Sequence, residues 1–382
     1  MLRLGIIGAG GIASLHTHNI LSGKCPEVQL TAMADRKESR REWIRATVPD
    51  AAVFCEGSDL IASDTCDAVL IATPHYQHPT LAIEAFRHGK HVLCEKPAGV
   101  YTLQVRDMIA EADKHPELTF GMMFNQRTNC VYRKDSGALG EIKRMIWVVT
   151  DWYRTQSYYD AGAWRATWDG EGGGVLLNQC PHQLDLLQWL CGLPVRVRAA
   201  CHEGKWHDIE VEDDVTAYLE FANGATGTFI ASTGDALGEN RLEIIGTRAR
   251  IRIENDQLTL DTLSVDERDW CPVCKEPFGV PEIQHEIVQT DGENPQHAGV
   301  LNAFAAHILH GTPLVADGRE GIRGLMLSNA MHLSSWTNQT VSLPIDEELF
   351  LKLLNEKRRT SRRKDEVDAA IDVSGSFGST RK

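Results

Sequence analysis

The chain has 382 residues, 42% of them hydrophobic and 24% charged, with a formal net charge of −14. That length allows two domains, and the composition is that of a folded globular protein rather than a disordered or fibrous one. The acidic balance argues against nucleic acid or an anionic membrane as partner, no apolar run reaches the roughly 18 residues of a membrane span, and the start, MLRLGIIGAGG, reads better as a glycine turn than as a signal segment, so a cytoplasmic protein is expected.

The first part of the chain alternates apolar strands with helices. LRLGIIG (2–8), VQLTAMAD (28–35), AVFCE (52–56), DAVLIAT (67–73), HVLCEKP (91–97) and LTFGMMF (118–124) read as strands. Residues 11–22, 36–47, 78–89 and 102–115 read as the helices between them. Apolar strands alternating with helices predict a parallel sheet covered on both faces, a doubly wound α/β domain over residues 1–125. The pattern then changes. IKRMIWVVTDW (142–152), VRVRAACHE (195–203), DVTAYLEFA (214–222), TGTFIAST (226–233), RLEIIGT (241–247) and ARIRIEN (249–255) are strand-like, with FANGATG reading as a hairpin turn. They predict an α+β domain with an open, largely antiparallel sheet over residues 126–350. One face would lie against helices and the other would invite a second copy. Residues 295–310 and 318–336 read as helices, and 351–382 as a C-terminal helix and mobile tail.

Three segments carry chemistry. GIIGAGGIASLH (5–16) follows a strand and opens a helix. Gly8 permits the tight turn, Gly10 lets the backbone approach a pyrophosphate, and Ala13 takes the third small position. Asp35, at the end of the second strand, suits the ribose hydroxyls of NAD, whereas neighbouring Arg36 suits the extra phosphate of NADP; the acid favours NAD. Thr73, Pro74, His75 and His78, in ATPHYQHP, close the fourth strand and lie where an open α/β sheet binds ligands. His78 reads equally as a packed residue at a helix start. In CEKPAGV, Lys96 could hold a reacting oxygen and stabilise developing negative charge, beside Glu95. GGGVLLNQCPHQLDLLQWL (172–190) reads as a helix with Asn178, His182 and Asp185 on one side.

Taken in order, GAGGIA, the EKP tripeptide at Glu95–Pro97 and GGG…N…H…D at Gly172–Asp185 resemble the Gfo/Idh/MocA oxidoreductases, the glucose–fructose oxidoreductase and inositol dehydrogenase group, over roughly residues 1–345. The resemblance implies a Rossmann domain followed by an open-sheet α/β domain, and NAD(P)-linked chemistry on sugars, polyols and their derivatives. It implies that Lys96 holds the hydroxyl while His182 takes its proton, and that Asp185 binds substrate or orients His182. Many members carry Asp where this chain has Asn178. An amide cannot act as a base, but it donates and accepts hydrogen bonds. Trp164 and Arg165 resemble a Trp–Arg pair close to the cofactor.

The expected cofactor contacts are therefore Gly8, Gly10, Gly11, Ile12, Asp35, Arg36, Thr73, Pro74, His75, His78, Glu95, Lys96, Asn125, Trp164 and Arg165. Asn178, Asp185, Tyr153, Arg154 and Tyr159 are the expected substrate contacts, the last three from the aromatic-rich stretch 151–170. The expected reaction is hydride transfer between a secondary hydroxyl of a sugar, glycoside or cyclic polyol, with C3 of a pyranoside a candidate, and nicotinamide. The alternatives are redox-neutral glycoside cleavage with recycled NAD, inositol dehydrogenation, and a non-catalytic NAD-binding regulator. The expected partners are a small carbohydrate and a second or fourth copy of the chain packed through the open sheet. Ten cysteines, without a signal segment, read as reduced thiols. Cys271 and Cys274 are half of a zinc-ligand pattern with no second half, so no metal is expected.

Overall fold

The computed structural model describes residues 1–132, 138–362 and 364. The first six strands are β1 (Leu2–Ile7), β2 (Val28–Ala34), β3 (Ala52–Phe54), β4 (Ala68–Ile71), β5 (His91–Cys94) and β6 (Phe120–Met122). Between them run α1 (Gly11–Leu21), α2 (Glu38–Thr47), α3 (Gly57–Ala62), α4 (Gln77–Arg87) and α5 (Thr102–Ala112). The strands form one sheet in the order β3-β2-β1-β4-β5-β6, parallel throughout. This is the doubly wound arrangement expected from the alternating pattern. The strand order reverses between β1 and β4, so the crevice for a ligand opens beyond Ile7 and Ile71.

The remaining elements are β7 (Ile142–Val149), α6 (Gln156–Asp160), α7 (Pro181–Cys191), β8 (Arg196–Glu203), β9 (Glu212–Glu220), β10 (Thr226–Ser232), β11 (Asn240–Gly246), β12 (Ala249–Glu254), β13 (Gln257–Leu263), α8 (Glu267–Trp270), β14 (Ile283–Ile287), α9 (Gln296–His310), α10 (Gly321–Thr337), β15 (Val341–Ser342) and α11 (Glu347–Arg359). Their sheet runs β14-β13-β12-β11-β7-β10-β9-β8-β15. Only β7 and β10 pair in parallel; the other neighbours are antiparallel. The FANGATG hairpin joins β9 to β10, with Gly224 in the left-handed region at φ 86°. β13, β14 and β15 were not legible from the sequence. β14 is exposed at every residue, so it carries no alternation of buried and exposed positions to read. On β8, Val197 and Ala199 are buried while Arg196 and Arg198 face out; α10 packs against this strand.

Two expectations about organisation change. The division at residues 125 and 126 misses a return of the chain. α9 packs back on the parallel sheet, and its Val300, Leu301 and Phe304 share a core with Leu2, Leu4 and Ile6 of β1. Each of those side chains contributes about 1.5–3 kcal/mol by burial, so α9 belongs energetically to the first domain. The C-terminal helix begins at Glu347, capped by the Asp346 carboxylate accepting from the Leu349 N–H, rather than after 350. Of the expected tail, 363 and 365–382 lie outside the described residues.

The turn after β1 depends on one glycine. Gly8 has φ 92°, and a Cβ there would lie 2.6 Å from the Ala72 carbonyl oxygen of the neighbouring strand end. Gly8→Ala must strain both φ and that contact. We expect a loss of about 1–3 kcal/mol, visible as a lowered melting temperature; an unchanged melting temperature would contradict this account of the turn.

Candidate active site

At the β1 end, the glycine turn leads into α1, whose first turn has no side-chain cap. Asp35 braces the turn. One carboxylate oxygen accepts from the Ala9 N–H at 2.8 Å, and the other accepts from the Lys37 N–H at 2.8 Å. Arg40, absent from the expected set, donates to the Ala9 carbonyl at 2.6 Å and the Ser14 hydroxyl at 3.1 Å. Arg36 instead points outward and pairs with Glu56 on an exposed surface, where such a bridge contributes little.

The β4 and β5 ends bring in Thr73–His75 and Glu95–Lys96. His78 is buried, with its ring nitrogens 2.7 Å from the carbonyls of Thr73 and Pro97. It ties these two loops together, so its role is support rather than cofactor contact. Glu95 is also turned inward. Its carboxylate meets His16 Nε2 at 2.8 Å and accepts from the Lys96 N–H at 3.2 Å. Burial works against its charge, but His16 holds its carboxyl below the ordinary value. The expectation that Glu95 contacts cofactor is replaced by a buried carboxylate fixing the Lys96 backbone.

Lys96 reaches across the cleft and donates from Nζ to the Asn178 carbonyl at 2.9 Å. Burial lowers its ammonium below the ordinary lysine value, while Glu95 and Glu171 pull it up. Residues 172–190 do not form one helix. Three consecutive glycines disfavour it, Gly172 sits at φ 83°, and α7 starts only at Pro181, a proline in the first turn. Before it, the Asn178 and Cys180 N–H groups donate to the Gly174 and Val175 carbonyls in tight turns. Asn178 therefore sits in a turn with His182 on the helix that follows. His182 is 8% exposed, and its Nδ1 is buried without a hydrogen-bond partner. Burial first, then Lys96 and His297, push its pKa well below 6.5, so it is a neutral imidazole near pH 7.

The expectation for Asp185 is overturned. Although it follows His182 at helical spacing, its carboxylate is 1% exposed and bound by both arms of Arg127, at 2.7 and 2.6 Å. Arg127 also donates to Glu320 at 2.9 Å, and Gln188 donates to Asp185 at 3.0 Å. Asp185 thus anchors α7 to the end of the parallel domain rather than touching substrate or His182. Tyr159 is likewise inward, its hydroxyl 2.7 Å from that of Thr233 and its ring against His207. Arg154 is buried, lies over Trp152 and Tyr158, and donates to the Tyr153 carbonyl at 2.9 Å. Tyr153 is exposed. Trp164 meets His75 edge to face, and Arg165 lies over Trp164 and donates to the Tyr158 hydroxyl at 2.7 Å.

Comparison with known proteins identifies the family. Residues 2–122 match the oxidoreductase family with an NAD-binding Rossmann fold, and 133–252 match the GFO/IDH/MocA C-terminal domain. The chain belongs to the Gfo/Idh/MocA oxidoreductase family. It is 24% identical over 355 residues to the myo-inositol 2-dehydrogenase of Thermotoga maritima, covering 90% of this chain and 98% of that protein. It is also 24% identical over 371 residues to the D-glucoside 3-dehydrogenase of Escherichia coli, covering 90% and 97%. The crystal structure of the WlbA dehydrogenase from Bordetella pertussis, in complex with NADH and UDP-GlcNAcA, superposes with a TM-score of 0.75 at 26% identity, covering 90% of this chain and 99% of that one.

As a Gfo/Idh/MocA oxidoreductase, the chain is a dehydrogenase acting on CH–OH groups, and its crevice fits NAD. Gly10 stands in open space at the uncapped start of α1, where peptide N–H groups favour a phosphate. Thr73 Oγ1 and Asn125 Oδ1 are buried polar atoms with no partner, as groups kept for a ligand would be. Asn125 donates through its other end to Gln296. Cys271 and Cys274 lie in and beside an exposed turn after α8, and all ten cysteines are free thiols. No helix among the described residues is long and apolar enough to cross a membrane.

Sequence reasoning missed the residues that hold this site from behind. Glu212 is fully buried. It accepts from the Gly174 N–H at 2.9 Å and the Leu176 N–H at 3.0 Å, and lies 2.9 Å from His332. Glu171, His16, His297 and Arg127 were missed too. The one available signal was Glu171, a carboxylate directly before three glycines. For the buried Arg127–Asp185 pair, Asp185→Asn removes the two-armed carboxylate partner and leaves the guanidinium only its single contact with the part-exposed Glu320. We expect a loss of about 3–5 kcal/mol by urea denaturation; a loss under about 1 kcal/mol, the scale of an exposed bridge, would contradict the anchoring role.

Proposed function

We propose that this dehydrogenase oxidises a secondary hydroxyl on the ring of a sugar, glycoside or cyclic polyol, with C3 of a pyranoside as the favoured position. The observation that carries the reading is the pairing of Lys96, fixed by the Asn178 carbonyl, with a neutral His182 beside it. Lys96 would hold the reacting oxygen and stabilise negative charge on it as the C–H bond breaks. His182, uncharged and with a free ring nitrogen, would take the hydroxyl proton. NAD, when bound, supplies the acceptor for the hydride. Gly8, Gly10, Asp35, Thr73 and Asn125 would hold it, with Trp164 and Arg165 near the cleft. The ring position rests on likeness to relatives named for inositol 2-dehydrogenation and glucoside 3-dehydrogenation. A second copy packing on the open sheet face would complete the molecule, with the exposed Ile283 and Ile287 of β14 at the sheet edge.

The test is one incubation of protein and NAD with inositols, free hexoses and aryl glucosides, following NADH absorbance and aglycone release together. NADH formed without release supports the proposal and names the substrate. Release without NADH replaces it with redox-neutral glycoside cleavage. Tight NADH binding with neither product leaves a non-catalytic binding protein.

Two further outcomes follow from the site. His182→Ala is expected to lower kcat by about 10²–10⁴-fold, and Lys96→Met by about 10²–10³-fold, both without loss of NADH binding measured by fluorescence quenching. The pH dependence has a definite sign. The folded pKa of His182 is depressed, so the imidazole stays unprotonated as pH falls through the ordinary value of about 6.5. The acid limb of kcat for oxidation should therefore lie below that value; a limb at or above it would count against His182 as the base.

A further inference from the structure

Asn178 stands where a carboxylate would be expected, yet a carboxylate is present beside it. Glu171 is 2% exposed and comes from the turn before the three glycines. One oxygen accepts from the Ala166 N–H at 2.6 Å, and the other accepts from the Asn178 side-chain NH₂. Ala166 is a buried non-glycine residue in the left-handed region at φ 55°, so Glu171 also holds a strained backbone position. The Glu171 carbonyl lies 3.1 Å from His75 Nδ1.

Hydrogen-bond polarity makes the consequence specific. Burial raises the Glu171 carboxyl above its ordinary value, but both its oxygens are placed as acceptors, one from the fixed Ala166 N–H, so the amide group facing Glu171 is the NH₂. The amide oxygen is then the end of the side chain left for the cleft, where Asn178 is only half-buried. The main-chain oxygen of the same residue accepts from Lys96 Nζ. Asn178 is thus oriented at both ends, by Glu171 through its side chain and by Lys96 through its backbone. An amide fixed in this way carries a single polarity, because reversing it would set its oxygen against the Glu171 carboxylate, acceptor against acceptor.

We propose that Glu171 is a positioning residue that locks the Asn178 amide so that its oxygen accepts a hydrogen bond from a substrate hydroxyl next to the one held by Lys96. The proposal rests on the dehydrogenase reading above, and it selects for substrates bearing vicinal hydroxyls, one reacting and one donating to Asn178. The negative charge that is absent at position 178 is supplied one layer back, where it faces Lys96 without standing in the path of the proton.

The test is a polarity swap. N178D sets two carboxylates against each other. E171Q leaves either the Ala166 N–H or the Asn178 NH₂ facing a donor. In the double variant E171Q/N178D, the introduced amide oxygen can accept from Ala166 while its NH₂ donates to the introduced carboxylate, and an acceptor oxygen still faces the cleft. Melting temperature, kcat and KM are measured for all four proteins, with myo-inositol or methyl β-D-glucopyranoside, whichever the wild type oxidises. Both single variants should melt lower and lose turnover with a raised KM. The double variant should recover both, with a coupling of about tenfold or more in kcat/KM. An analogue that keeps the reacting hydroxyl and lacks the donating neighbour, such as a 2-deoxy or 4-deoxy glucoside for oxidation at C3, should be insensitive to E171Q in KM. Additive losses, or recovery of melting temperature without recovery of turnover, would overturn the positioning role. Should the wild type oxidise neither compound, the proposed ring-hydroxyl reading falls for these two substrate types, and the melting cycle still shows whether the Glu171–Asn178 pair has the polarity claimed.

Discussion

The hydrogen bond from the Lys96 ammonium to the Asn178 carbonyl joins two loops 82 residues apart in the chain. It places a positive charge from the parallel domain against the turn of the second domain. Much of the surrounding structure serves to hold its two ends. On the lysine side, Glu95 accepts from the Lys96 N–H and is itself held by His16 from α1. On the asparagine side, Glu212 takes the N–H groups of the glycine turn, and Glu171 takes the Asn178 amide. The proposed mechanism uses a lysine and a histidine; the loops that carry them are braced by these three buried carboxylates.

Those carboxylates lie in low-dielectric surroundings, and each has partners. Glu95 faces His16, Glu212 faces His332 and two backbone donors, and Glu171 accepts from Ala166 and Asn178. An unpaired buried carboxylate would protonate or disrupt the packing around it. Pairing holds Glu95 and Glu212 below the ordinary carboxyl value, while burial still raises Glu171; in all three the oxygens face donors, and an acceptor dictates which way its neighbours point. The same logic governs Asp185. Its bond to Arg127 ties α7 to the 3-10 turn at 125–128, so the helix bearing His182 is referenced to the domain that binds the dinucleotide.

Burial shifts the proposed catalytic pair, Lys96 and His182, in the same direction, disfavouring the charged form of each. A buried ammonium is weakened as a cation, and a buried imidazole is weakened as a base, yet both remain usable near neutrality because Glu95 and Glu171 support the lysine charge while no acid faces His182 closely enough to charge it. Asn178 fits this scheme better than an acid would, since a carboxylate there would face Glu171 directly and draw a proton into the site.

The alternation of apolar strands and helices, the glycine turn and the Lys96 and His182 motifs were legible in the sequence because they depend on local periodicity and on residue types with few substitutes: a glycine at φ 92°, an ammonium, an imidazole. The family resemblance followed from the order of those motifs. Other features had no local signature. α9 returns to the first core because its apolar face matches β1 in space, not in sequence. Asp185 and Tyr159 have side chains suited to substrate, but Arg127 and Thr233, distant in the chain, claim them first. The helix expected over 172–190 failed at its start because glycine tolerance and a buried Glu212 hold a turn there. The sequence by itself determined which groups are available to do chemistry and roughly where strands β1 to β12 end; only the tertiary structure decided which of those groups stay free, because a polar side chain in the interior goes to whichever partner the fold brings within hydrogen-bond reach.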